Sequence, residues 1–108
     1  MAQATKIQQS VIDGVTVQII EVGDNSFTRI STANAVVSVT PPTEGQAPSI
    51  MIVANGVKLT FVGYKGYAEI GNTTVKVTVA ENGDIELVRF CTDENVLVYN
   101  QKRGWLIA

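Results

Sequence analysis

The sequence predicts an all-β fold: a compact antiparallel sandwich or barrel of about nine to ten short strands, mostly in hairpin (meander) connections, with no substantial helix. Three observations predict it. Val and Ile together number 26 against four Leu, and 11 Thr add to the β-branched total. Such side chains are stiff at χ1 and suit a pleated, half-buried surface better than a helix. Paired Asn, Asp and Gly residues recur between short apolar runs and mark two-residue hairpin turns, whose twist matches that of the strands they join. Period-two alternation of apolar and polar residues supplies the third observation.

Taken in order, Lys6–Ile12 and Val15–Val22 flank Asp13-Gly14, so they are expected to form the first hairpin. Phe27–Ser31 and Ala35–Thr40 follow as short strands. Ser49–Ala54 and Val57–Val62 flank Asn55-Gly56; in the second of these Val57, Leu59 and Phe61 oppose Lys58 and Thr60. Tyr67–Ile70 and Thr73–Ala80 flank Gly71-Asn72, and Val75, Val77 and Val79 alternate with Thr74, Lys76 and Thr78. Asn82-Gly83 leads to Ile85–Cys91, after which Val96–Asn100 and Trp105–Ile107 complete the set. In two strands the apolar phase switches: Val15, Val17 and Ile19 give way to Ile20 and Val22, and Ile85 and Leu87 to Val88 and Phe90. Each switch predicts a β-bulge or bend.

Two segments stand outside this rhythm. Met1–Thr5 is polar and small and reads as an N-terminal arm ahead of one β domain over residues 6–108. Residues 41–48, PPTEGQAP, carry all three prolines and predict an extended, stiff loop that crosses between sheets. Ser49–Ala54 (SIMIVA) lacks a polar face, which predicts a central strand covered on both sides, the second side by the fold or by another subunit.

Composition narrows function. The chain has no histidine and one cysteine, Cys91, so Ser-His-Asp and Cys-His arrangements and the usual zinc ligand sets are missing. Cys91 ends an apolar strand and reads as a small buried hydrophobe. The carboxylate pairs Glu21 with Asp24, Glu81 with Asp84 and Asp93 with Glu94 all flank turns, where acids supply turn hydrogen bonds. No phosphate-binding glycine loop and no calcium-loop spacing occurs. The expectation is a protein without catalytic residues, cofactor or metal. A net charge of −2 and a pI near 4.9 disfavour nucleic acid as partner. No signal-peptide pattern and no apolar run of membrane-spanning length is seen, so a soluble protein, in the cytoplasm or in an assembled particle, is expected.

Charged residues make up 17% of the chain, against about 25% in an ordinary soluble domain, while 45% are hydrophobic and mean hydropathy is +0.18. A small domain has much surface, so a shortage of charge predicts that part of it is covered by other chains. The expected function is therefore structural: a small β domain docking into a homo- or hetero-oligomeric particle, of which a capsid-decorating (cement) protein of a virion is the concrete version. Ile50, Met51, Ile52 and Val53 of SIMIVA, with Pro41, Pro42 and Pro48, are the candidate interface. The alternative is a carbohydrate-binding or adhesion module that uses Tyr64, Tyr67 and Trp105 as a stacking surface.

Overall fold

The computed structural model describes residues 4–12, 14–22, 28–32 and 34–107. Eleven strands follow one another: β1 (Ala4–Ile12), β2 (Val15–Val22), β3 (Thr28–Ser31), β4 (Ala35–Thr40), β5 (Ser49–Ala54), β6 (Val57–Val62), β7 (Lys65–Ile70), β8 (Thr73–Val79), β9 (Ile85–Cys91), β10 (Val96–Asn100) and β11 (Gly104–Ile107). The first six form one antiparallel sheet in chain order, and the last five form a second in the order β11-β10-β9-β8-β7. Every pairing joins sequence neighbours, as the turn signals predicted. Among the described residues no strand of one sheet pairs with a strand of the other, so the sheets are layered and do not close into a barrel. The strand count exceeds the expected nine to ten by at least one. Each of the eleven coincides with a segment read from the sequence, including four-residue β3 and β11, which are full members of their sheets.

The turns obey their residues. Asn55 and Gly56 both adopt positive φ, 50° and 78°, the pair a type I′ hairpin requires, and they join β5 to β6. Ala4 and Thr5, read from the sequence as part of an N-terminal arm, belong to β1; residues 1–3 lie outside the described residues, as do Asp13 and Phe27.

The phase switch in β9 is a bulge. Thr78 pairs with Leu87 and Val79 with Ile85, which leaves Glu86 as the extra residue, exposed, and turns both Ile85 and Val88 to the core. The switch in β2 has a different cause. Its pairing with β1 and β3 runs unbroken from Val15 to Glu21, and the register shift in that hairpin falls between Ala4 and Lys6 of β1. Val17 and Ile19 face the core, and Ile20 is half-buried on the opposite side of the sheet. Both phases of β2 are apolar because the outer side of this sheet is itself poor in charge.

One core fills the space between the layers. Val17, Ile19, Ile30, Val37, Val39, Ile50 and Ile52 come from the first sheet; Val75, Val77, Val79, Ile85, Val88, Phe90, Leu97 and Tyr99 come from the second. The chain passes between sheets at Gly63-Tyr64, directly after β6. Gly63 donates its N–H to the Pro48 carbonyl at 2.8 Å, and Val79 donates to the Tyr64 carbonyl at 2.8 Å, so the crossing is tied to both layers. Just beyond it, Gly66 of β7 lies against the first sheet. A Cβ at Gly66 would sit 3.2 Å from the Ile50 Cγ2 and 3.2 Å from the Phe61 Cδ2. Only glycine lets the backbone approach that closely.

The proline segment does not cross between sheets. It is the tip of the β4–β5 hairpin, because β4 and β5 are paired over their whole length. Thr43 and Gln46 exchange backbone hydrogen bonds of 3.2 and 2.9 Å around Gly45, folding the tip back on itself instead of extending it. Pro41 and Pro42 rest on the β8–β9 turn at Gly83, where an added Cβ would meet Pro42 Cδ at 3.2 Å and Pro41 Cβ at 3.3 Å. Among the described residues no helix is long and apolar enough to cross a membrane.

Candidate functional site

The structure separates the candidate interface residues. In β5, Ile50 and Ile52 are 0% exposed and point into the core, while Met51 and Val53 turn to the outer side of the first sheet and are half-buried. Pro48 is buried, and Pro41 and Pro42 are half-buried against the β8–β9 turn. SIMIVA thus combines a core face with an outer face that is apolar at Met51 and Val53. The two outer residues share a shallow depression with Arg29, Val36 and Ser38.

The three aromatic candidates are not brought together. Trp105 pairs with Tyr99 across β10–β11 and therefore shares its core-facing side. Their ring centroids are 5.1 Å apart at 58°, and Trp105 packs against the core. Tyr67 is exposed on the opposite, outer side of the same sheet, in register with Lys76 and Arg89, and its hydroxyl donates to Glu69 Oε2 at 3.4 Å. Tyr64 is exposed at the crossing before β7. The rings do not form one stacking platform.

The carboxylates keep to their turns. Asn82 Oδ1 accepts from the Asp84 N–H at 3.0 Å and Asn82 Nδ2 donates to Asp84 Oδ2 at 3.2 Å, a closed turn motif. Asp93 and Glu94 are exposed in the β9–β10 connection, which is held by Thr92: its Oγ1 accepts from Asn95 N–H at 3.2 Å and its N–H donates to the Asn95 carbonyl at 2.8 Å. With Asn34, Asn55, Asn72 and Thr73 they border an open polar cleft of about 440 Å³ at one end of the layers. Asn55 spans part of it, donating to the Ile70 carbonyl at 3.2 Å. The side chains of Glu21 and Asp24 lie outside the described residues. Cys91 is half-buried on the outer side of β9, in register with Thr74, and so is not a core residue.

Two features escaped the sequence reading. Asn100 and Gln101 hold the β9 bulge from the β10–β11 turn. Gln101 Oε1 accepts from Ile85 N–H at 2.7 Å and its own N–H donates to the Ile85 carbonyl at 2.9 Å, while Asn100 Nδ2 donates to the Glu86 carbonyl at 2.7 Å. Asn100 Oδ1 also accepts from Lys102 and Arg103 N–H groups. A lone Asn-Gln pair at a strand end carries no pattern that would announce this role.

The second feature is the distribution of charge and apolar surface. Cross-strand partners share a face, so registers sort each sheet into inner and outer sides. Among the described side chains, the outer side of the first sheet carries two charges, Arg29 and Lys58. The outer side of the smaller second sheet carries Lys65, Glu69, Lys76 and Arg89. Large exposed hydrophobics do not separate the outer sides in this way: Val11 at 69% and Val62 at 79% lie on that of the first sheet, Tyr67 at 54% and Leu106 at 38% on that of the second, while Val57 and Leu59 are exposed on the inner side at the β6 margin. Alternation in β6 was legible in the sequence; that the apolar side would lie open was not, because β6 turns out to be an edge strand.

Comparison with protein-family models, with curated proteins and with solved structures finds no significant match to this chain.

Proposed function

We propose that this protein is a non-enzymatic assembly module, a small β domain that docks through its first sheet into a larger homo- or hetero-oligomeric particle. The observation that carries this reading is the asymmetry between the sheets. The six-stranded layer, the larger of the two, has an outer side whose charges among the described side chains are Arg29 and Lys58, with Met51, Val53 and Val36 grouped beside Arg29 and Ser38 in a shallow depression. Charge depletion with apolar and Met side chains at the centre is the compositional mark of an interface core. A net charge of −2 adds little long-range repulsion to oppose association. A repetitive particle such as a virion shell, which a decorating or cementing protein stabilises by docking many identical copies, is the setting this module suits.

Light scattering coupled to size exclusion tests the reading. The expected result is a mass that is a multiple of 11.6 kDa, reduced by Met51→Glu, which places a carboxylate in the centre of the depression. A monomer at all concentrations, unchanged by Met51→Glu, overturns the homo-oligomeric form of the reading.

A further inference from the structure

We infer that β6 is the strand by which one copy of this chain joins a second: the two β6 strands pair antiparallel about a two-fold axis at Thr60, merging the two six-stranded sheets into one. The inference deepens the assembly reading and rests on it.

The backbone directions come first. In an antiparallel ladder, residues alternate between bonding to the partner strand and turning their N–H and C=O away from it. The Gly63 N–H to Pro48 carbonyl bond fixes that phase for β6. Val57, Leu59 and Phe61 therefore bond to β5, and Lys58, Thr60 and Val62 turn their N–H and C=O outward. Among the described residues, none of the backbone hydrogen bonds outside the ladders falls on these three.

The other edges are blunted and β6 is not. Edge strands are protected from pairing by charges, bulges, proline or shortness. β1 pairs with β2 without a break from Lys6 to Ile12, but its inner side presents exposed Gln8 and Ser10, which offer nothing to bury. In β7 the same phase argument, set by the Val79 N–H to Tyr64 carbonyl bond, turns Lys65, Tyr67 and Glu69 outward, so charges flank that edge at both ends. β11 is four residues long. β6 has six residues, an unbroken register with β5, no proline and one charge.

A second copy of β6 fits this edge in a way that its own residues dictate. The register centred on Thr60 sets Thr60 opposite its counterpart and Lys58 opposite Val62, so all three outward pairs of N–H and C=O groups engage. The lone charge then meets the 79% exposed Val62, and the two lysines stand about 13 Å apart along the strands. Like charges directly opposed would destabilise the pair, and this register avoids them. On the inner side Leu59 falls opposite Phe61 in a non-hydrogen-bonded position, where side chains are closest. Leu59, 36% exposed in the single chain, gains its missing neighbour.

Directly opposed Thr60 residues would have Cα atoms about 5.5 Å apart, within the span of a disulfide. In a Cys91→Ser background, Thr60→Cys should give a cross-linked dimer under mild oxidation at least tenfold faster than Lys58→Cys, which sits opposite position 62. Thr60→Pro removes an outward N–H and leaves the β5 bonds intact, and it should raise the dimer dissociation constant at least tenfold with an unchanged folded circular-dichroism spectrum. If Thr60→Pro does not fold, Val62→Lys, which opposes Lys58 in this register, provides the same readout. Equal cross-linking at positions 58 and 60, or an oligomer mass indifferent to the folded β6 variants, overturns the β6 pairing and leaves the assembly reading standing. A wild-type chain that is monomeric at all concentrations overturns the β6 pairing together with the homo-oligomeric form of the assembly reading.

Discussion

One row of side chains crosses the whole first sheet on its inner side: Gln8, Ile19, Ile30, Val37, Ile52 and Leu59, each directly opposite the next on neighbouring strands. Its two ends differ. At the β1 end Gln8 is exposed and polar, whereas at the β6 end Leu59 is exposed and apolar, and the four residues between are 3% exposed or less. The second sheet covers the middle of the row and neither end. Where the cover stops at β1, the sequence has switched to Gln and Ser, so the overhang is made for water. At β6 the cover is partial: Phe61 still packs on the core beside Gly66 of β7, but Val57 and Leu59 are exposed although they are apolar as core residues are. An uncovered edge with core-type side chains leaves apolar surface open to water, and an uncovered edge with polar ones does not.

Substitutions along that row test the contrast, with stability measured by urea unfolding at low protein concentration. Ile52→Ala should cost about 3 kcal/mol, since it opens a cavity at a fully buried position. Leu59→Ala should cost about 1 kcal/mol, because part of its surface already meets solvent, and Gln8→Ala less than about 0.5 kcal/mol. A Leu59 cost equal to that of Ile52 in the monomer would mean that β6 is already covered, and the distinction between the edges would fall.

Two further variants sharpen how the layers are held. Gly66→Ala should destabilise by about 1 to 3 kcal/mol, because the new methyl falls 3.2 Å from both Ile50 and Phe61 and forces the layers apart beside β6. The expected signature includes increased hydrogen exchange in β7, and a neutral result would show that the sheets slide there freely. Asn100→Ala should cost about 1 kcal/mol through loss of the bond to the Glu86 carbonyl and of the caps on Lys102 and Arg103. Its exchange effects should stay in the β9 bulge and the β10–β11 turn. The same loss with no local change there would contradict the bracing role.

Much of the fold was legible because hairpins are local. Asn55-Gly56 both declares a positive-φ turn and specifies which strands it joins, so a meander can be read turn by turn. The β9 phase switch was legible for the same reason: a bulge is a one-residue fault in a period-two pattern, and Glu86 is that residue. The β2 switch has the same pattern with no fault behind it, since an outer face that tolerates Ile20 looks identical in one dimension. The candidate site was less legible. SIMIVA reads as apolar on both sides, yet which side is core depends on the position of the second sheet. The tyrosine and tryptophan candidates were separated only by register, which placed Trp105 inward beside Tyr99 and Tyr67 outward. PPTEGQAP shows its stiffness in sequence; its place at a hairpin tip, resting on Gly83, comes from a contact between residues some forty apart.

The sequence by itself determined the β class, the hairpin order and the shortage of charge, because these follow from side-chain type and from turns of two residues. Tertiary structure alone decided where one layer ends over the other. That boundary makes Ile52 core and Leu59 surface although both belong to one cross-strand row. Burial is a property of what lies on the far side of the core, and no local pattern in β6 records that the second sheet covers Phe61 and leaves Leu59 open.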